Sequence, residues 1–275
     1  MAAGSLRFEK YEGLGNDFIV VDAADEDALS PAAVSALCDR RFGIGADGVL
    51  LVLPARSPVC AGRMRVVNAD GSVPEMCGNG LRCVALHLAR RGGTARASEL
   101  ALRVETDAGE RACRLETRGD DTTVTVDMGA VRLLGDRPVV VDGRNIVAAL
   151  ADAGNPHAVL LGEFSRAELE QLGPRIATHP EFPRGTNVEF ARPGADGIDL
   201  VVWERGVGLT LACGTGACAT VAVACDKGLA LRGTPVTVRL PGGALQVTIE
   251  DAGRVTLRGP ARHVFSGQAP APKAP

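Results

Sequence analysis

Residues Leu211 to Cys225 read LACGTGACATVAVAC, a cysteine followed by Gly-x-Gly and then by residues that are apolar on every side. A helix apolar all round has to be buried. The stretch is too short to cross a bilayer, and Gly214, Thr215, Gly216 and Thr220 interrupt it, so it is expected to be the central helix of a soluble domain. Cys213 would stand just before the first turn, where unpaired N–H groups and the positive end of the helix dipole favour an anion. A thiol there is expected to lose its proton more easily.

The same pattern occurs a second time. Cys77 opens CGNGLRCVALHLARRGG, with Leu81, Val84, Ala85 and Leu88 at helical spacing and Gly92 closing the run. Cys213 follows Cys77 by 136 residues, and Glu204, nine before Cys213, follows Asn68, nine before Cys77, by the same 136. Gly15-Asn16-Asp17-Phe18-Ile19-Val20 matches Gly154-Asn155-Pro156-His157-Ala158-Val159 at an offset of 139, and RFGIGADGV from Arg41 aligns more loosely with RGTNV from Arg184. Repetition at a fixed offset implies an internal duplication. The fold expected is α/β (α+β), with two pseudo-symmetric domains, each a curled, mostly antiparallel sheet around a central helix, and an active site in the cleft between them. The boundaries expected are 1–126, completed by a C-terminal strand 261–267, then 127–260, with 268–275 a disordered tail.

Composition narrows the function classes. The chain has 275 residues, 46% hydrophobic and 23% charged, with a net charge of −3, which offers no electrostatic footprint for nucleic acid or an anionic membrane. No charged-then-apolar signal precedes a cleavage site, Met1–Ser5 reads as a short frayed lead, and a cytoplasmic protein is expected. Eight cysteines scattered over such a chain, Cys38, Cys60, Cys77, Cys83, Cys113, Cys213, Cys218 and Cys225, read as reduced thiols. Neither Cys77/Cys83 nor Cys213/Cys218 has the spacing of a zinc knuckle, and no metal is expected.

In chain order, LRFEKYEG and DFIVVDA are strands joined at Gly13-Leu14-Gly15-Asn16. Ser30-Pro31 starts a helix through Arg40 that stops at Gly43. GIGADGVLLVL is a glycine loop and a buried strand, and ELALRVETDAG, RACRLETR and TTVTVDMG are three further strands. PVVVDGRNIVAALADAGNPHAVLLG is strand material carrying the Asn155-Pro156-His157 turn. Ser165 then caps a helix with Glu168 at the capping-box position. TNVEF and IDLVVWE lead to the Cys213 helix, followed by a meander turning at Pro241-Gly242-Gly243 and Ala252-Gly253, and by RHVFSG as a separate last strand.

Two thiols at matched helix starts suit two-sided proton transfer, in which a thiolate takes the proton from a carbon and the opposite thiol returns one to the other face. The N–H groups at Gly78-Asn79 and Gly214-Thr215 would hold a carboxylate and the charge that builds up on it. No lysine-bearing phosphate site argues for pyridoxal phosphate, so no cofactor is expected. The other cysteines read as small buried hydrophobes. His157 also fits a satisfied core histidine, Asn16, Asn68, Asn155 and Asn187 also fit turn or cap residues, and Glu204-Arg205 also fits a local ion pair.

The segments GLGNDFIVVD, GIGADGVLLV, NADGSVPEMCGNGLRC, AGNPHAV, GTNVEF and WERGVGLTLACGTGACA, in this order and spread over most of the chain, resemble the diaminopimelate epimerases. The resemblance implies interconversion of LL- and meso-2,6-diaminopimelate, in lysine and peptidoglycan synthesis, without a cofactor. It implies Cys77 and Cys213 as the acid/base pair, tuned by His157 and Glu204. Asn16, Asn68, Asn155, Asn187, Glu204 and Arg205 would hold the substrate's ends, and the amides of Gly78, Asn79, Gly214 and Thr215 its reacting carboxylate. It also implies a homodimer through the last strand, with Phe265 where relatives have tyrosine. Gly48 stands where some relatives carry glutamine, and Leu209 precedes Thr210 where the family's final motif often has glutamate. The other readings are a different cofactor-independent racemase, such as one for histidine, a thiol redox protein using Cys77 and Cys213, and a binding protein without activity.

Overall fold

The computed structural model describes residues 5–74, 76–250 and 253–270. It is a mixed α+β chain in two compact units, Met1–Val126 with Gly259–Pro275, and Asp127–Arg258. The first unit runs β1 (Ser5–Gly13), β2 (Asn16–Asp22), α1 (Pro31–Cys38), β3 (Gly48–Leu53), β4 (Gly62–Asn68), α2 (Gly78–Arg91), β5 (Glu99–Thr106), β6 (Gly109–Arg118) and the start of β7 (Asp121–Ala130). The second runs β8 (Arg132–Val141), β9 (Arg144–Asp152), β10 (Pro156–Leu161), α3 (Arg166–Ala177), β11 (Asn187–Gly194), β12 (Gly197–Glu204), β13 (Gly208–Thr210), α4 (Gly214–Asp226), β14 (Val236–Leu240), β15 (Gly243–Ile249) and the first part of β16 (Arg254–Pro270). Among the described residues no helix is long and apolar enough to cross a membrane.

The duplication is visible in the strand pairing. In the first unit β2–β3 is parallel, β3–β4 antiparallel, β4–β5 parallel and β5–β6 antiparallel. The second repeats the sequence with β10–β11, β11–β12, β12–β14 and β14–β15. Even the short parallel contacts correspond, Gly62 opposite Val104 in one and Ile198 opposite Val238 in the other.

Each sheet curls about its own helix, since α2 packs on β1 through β6 and α4 packs on β9, β10, β11 and β15. Every residue of α4 from Gly214 to Ala224 is buried, and all are small or β-branched, so strands approach from several directions. Burying Val221 and Val223 contributes roughly 1.5–3 kcal/mol each. The smaller helices cover the outer faces. Val34 and Leu37 of α1 join Ile19, Val49, Leu51 and Leu53, while Leu169, Leu172 and Ile176 of α3 join Leu160, Val188 and Phe190. Ser165 and Glu168 form the expected capping box at α3.

Several expectations change. The helix from Ser30 ends at Cys38, because Asp39 turns its carboxylate back to the amides of Arg41 and Phe42, both at 2.7 Å. VTLRG and RHVFSG are one strand, β16. Pro260, which resembles a break, offers its carbonyl to Arg82 Nε at 3.1 Å. Residues 268–270 are strand and not disordered tail, and Ser5 is not frayed, because Ser5 to Phe8 pair with Pro270 to Gly267 and the Leu6 and Ala269 side chains pack on the Phe8 cluster. Residues 1–4 and 271–275 lie outside the described residues. The short β13, in the Gly208-Leu209-Thr210 segment, pairs with β12 and was not expected from sequence.

Candidate active site

In the first unit, Asn16 begins β2 immediately after a two-residue hairpin turn whose Leu14 and Gly15 both have positive φ, 59° and 77°. Asn16 Nδ2 donates to Asp47 Oδ2 at 2.7 Å, and Asn16 Oδ1 accepts from Asn79 Nδ2 at 3.1 Å. Asp47 also takes the Asp17 amide at 3.0 Å and an Arg40 bond at 2.7 Å. Asp17 lies between Arg40 and Lys10, at 2.6 Å from each. Burial opposes its ionisation, but hydrogen bonds from Arg40 and Lys10 win, holding its carboxyl below the usual range. Neither aspartate was singled out from sequence, although both sit inside the quoted GNDF and GADG motifs.

Asn79 is the second residue of α2, and Cys77 is its N-cap. The half-buried Cys77 sulfur accepts the Gly80 N–H at 3.3 Å, doing the work usually done by a serine or aspartate oxygen. Asn68 ends β4 opposite Gly48, with its Nδ2 on Ser72 Oγ at 3.0 Å. Gly48 has a packing reason, since a Cβ there would come 2.8 Å from the Val67 carbonyl.

The second unit repeats the arrangement. Cys213 is the N-cap of α4, its sulfur accepting the Gly216 N–H at 3.4 Å and lying 3.5 Å from the Thr215 hydroxyl. It is only 6% exposed. The expected depression of its pKa is corrected here. Burial pushes this thiol well above the ordinary value, the Glu204 and Glu189 carboxylates push it further, and the Thr215 and Gly216 bonds do not compensate. Cys213 therefore holds its proton at neutral pH.

Glu204, at the end of β12, accepts the Thr210 hydroxyl at 2.7 Å. The Arg205 amide donates to Asn187 Oδ1 at 2.8 Å, and its guanidinium to the Arg184 carbonyl at 2.9 Å. His157 is fully buried, with Nε2 on Asn155 Oδ1 and Nδ1 on Glu189 Oε1, each 2.7 Å. Glu189 was missed from sequence. Its signal was a carboxylate inside the apolar strand TNVEF, two residues from Asn187 and so on the same face. Phe265 lies on β16, 45% exposed, edge-on to Phe8 at 5.8 Å.

The first unit thus joins Asn16, Asn79 and the Cys77 helix start, and the second joins Asn155, His157 and Glu189 beside Cys213, with Glu204, Arg205 and Asn187 at the ends of neighbouring strands. A nucleophilic or proton-transferring sulfur at a helix start, ringed by amides and carboxamides, can hold an anionic group and move a proton at an adjacent carbon.

Diaminopimelate epimerase from Microcystis aeruginosa is 43% identical over 285 residues, covering 96% of this chain and 99% of that one. The enzyme of the same name from Desulfitobacterium hafniense is 44% identical over 282 residues, covering 95% and 97%. Among solved structures, a hydroxyproline epimerase from Agrobacterium vitis superposes with a TM-score of 0.78 at 17% identity, covering 98% of this chain and 93% of that one, a likeness of fold. The family profile for diaminopimelate epimerase matches residues 8–134 and 149–264. With these matches spanning nearly its whole length, the chain belongs to the diaminopimelate epimerase family.

Proposed function

We propose that this protein interconverts LL- and meso-2,6-diaminopimelate by proton transfer between one substrate α-carbon and two thiols, Cys77 and Cys213, without a cofactor. The observation that carries the reading is the repeated N-cap: one cysteine in each unit, each bonded to the amide three residues on, at the start of the buried helix of its own sheet. One sulfur, as thiolate, removes the α-proton and the electron pair passes into the carboxylate. The other, as thiol, protonates the opposite face. The raised pKa of Cys213 suits it to the donor state, with Cys77 as the base in that direction and the roles exchanged in the other.

The amides of Gly78, Asn79, Gly214 and Thr215 are assigned to the reacting carboxylate, because unpaired N–H groups at helix starts stabilise the charge built up during deprotonation. Asn16, Asn68, Asn155, Asn187, Glu204 and Arg205 are assigned to the substrate's ionic ends, with His157 and Glu204 tuning the thiols. The compartment proposed is the cytoplasm and the assembly a homodimer through β16. Solvent-deuterium incorporation at the α-carbon, followed by proton NMR with LL-diaminopimelate and with histidine under reducing conditions, tests this. Exchange with diaminopimelate supports the reading, and exchange with histidine alone, or with neither, rejects it.

A further inference from the structure

Glu189 is 0% exposed, on β11. In register, His157 of β10 stands opposite Asn187, and Val159 opposite Glu189. The Glu189 side chain touches His157 on one side and α4 on the other. A Cβ built on Gly216 would be 2.9 Å from Glu189 Oε1 and 3.3 Å from Cys213 Sγ, so carboxylate and sulfur are at most the sum of those lengths apart.

The hydrogen bonds count the protons. Asn155 Oδ1 is an acceptor only, so its 2.7 Å bond requires a proton on His157 Nε2. The 2.7 Å contact between His157 Nδ1 and Glu189 Oε1 then requires one more, on either atom. Imidazolium with carboxylate and imidazole with carboxylic acid are the two forms, and both are neutral overall. Glu189 Oε2 is buried without a hydrogen-bond partner among the described residues, a position in which an uncompensated negative charge would be expensive.

We propose that Glu189 is a positioning residue for the Cys213 half of the reaction, acting through the single proton that it shares with His157. When Cys213 is a thiol the proton rests on Nδ1. When Cys213 becomes a thiolate, the N–H bond breaks and an O–H bond forms on Oε1, so that the sulfur no longer faces a carboxylate, and no proton leaves the pair. The same bonds hold the Asn155 carboxamide through its oxygen. Around the sulfur, β12 contributes Glu204, β11 Glu189, and α4 the Thr215 hydroxyl and Gly216 amide. The inference rests on the reading of Cys213 as a proton-transfer residue.

Glu189→Gln keeps the shape and can donate an amide hydrogen to His157 Nδ1, but removes the movable proton and the charge. The Cys213 titration, read from ultraviolet thiolate absorbance as the difference between proteins with and without Cys213→Ser, is expected to move down by about half a pH unit or more. The alkaline limb of kcat/KM should move with it, while kcat falls about tenfold and KM stays within about twofold. Glu189→Asp, which retains the carboxyl, should keep the titration near its original position and recover most of the rate. An unmoved Cys213 titration in Glu189→Gln, or an equal displacement in Glu189→Asp, overturns the proposal. Nitrogen-15 NMR of His157 in the unaltered protein needs no variant to fold: an Nε2 without a proton overturns the count, and a protonated Nε2 with a shared Nδ1 proton supports it. Because the titrations need no substrate, a protein inactive on diaminopimelate but displaced in this way would support Glu189's role while rejecting the substrate.

Discussion

Gly80 stands so close to Cys77 that only a hydrogen fits between them: its amide donates to the sulfur at 3.3 Å, and an added Cβ would lie 3.2 Å from that sulfur and 2.9 Å from Leu50 Cδ2. Gly216 is confined in the same way by Glu189 and Cys213. Gly80→Ala and Gly216→Ala should each destabilise the fold by about 1–3 kcal/mol through overpacking and reduce kcat/KM by displacing the sulfur. Urea unfolding and steady-state kinetics measure both, and full activity in either variant would show that the sulfur tolerates movement.

Removing either thiol should abolish epimerisation in both directions, because a base without an opposing acid can only return the proton to the face it came from. Cys77→Ala and Cys213→Ala should still exchange the α-proton of opposite isomers, as read by deuterium incorporation. Cys83→Ala and Cys218→Ala alter fully buried residues and should affect stability more than chemistry. A near-normal rate in Cys77→Ala refutes the assignment.

The pH profile should be bell-shaped, with its alkaline limb above the ordinary thiol range because burial first, and the Glu204 and Glu189 carboxylates next, raise Cys213. Glu204→Gln removes one of those charges and should bring the limb down. The same shift bears on stability. A thiol whose folded pKa exceeds its unfolded value contributes stability that is present below the unfolded value and lost as pH rises through the folded one. Cys213→Ala should therefore flatten the alkaline decline in unfolding free energy, and an unchanged slope would contradict the shift.

Phe265 is 45% exposed and leans on Phe8 from β16, an aromatic edge with area left to bury. If β16 carries the dimer contact, Phe265→Ala should raise the dimer dissociation constant by about tenfold or more, the effect of losing an aromatic anchor. Analytical ultracentrifugation over a concentration series checks this, and a monomer at micromolar concentration for the unaltered protein rejects the contact.

What could be foreseen follows the range of the interactions. The matched offsets of Cys77 and Cys213, and of Asn68 and Glu204, were enough to anticipate the repeated strand pairing, because each repeat carries its own helix caps and turns. Local chemistry likewise announced the Ser165 capping box and the turn before Asn16. The continuity of β16 was hidden, since Gly259-Pro260 resembles a break and only pairing with β1, at the far end of the chain, holds residues 268–270 extended. The pKa direction of Cys213 was hidden for the same reason. A helix start alone argues for a thiolate, but burial raises the thiol most, and Glu204 of β12 and Glu189 of β11 add to it.

Strand β16 has a consequence for how the protein is made. Ser5 pairs with Pro270 and Glu9 with Ser266, so β1 leaves the ribosome long before the strand that it pairs with. Until β16 has been made, the nascent β1 lacks that neighbour, and Leu6 and Phe8 lack part of their cover. The unit 127–258 has its own helix and sheet, and needs only the first few residues of β16, so it is able to fold before the rest of that strand arrives. A chain cut before Gly267 would therefore lose the partner of Ser5 to Phe8 at the opposite end of the sequence, leaving an open sheet edge for proteases and for other unfinished chains.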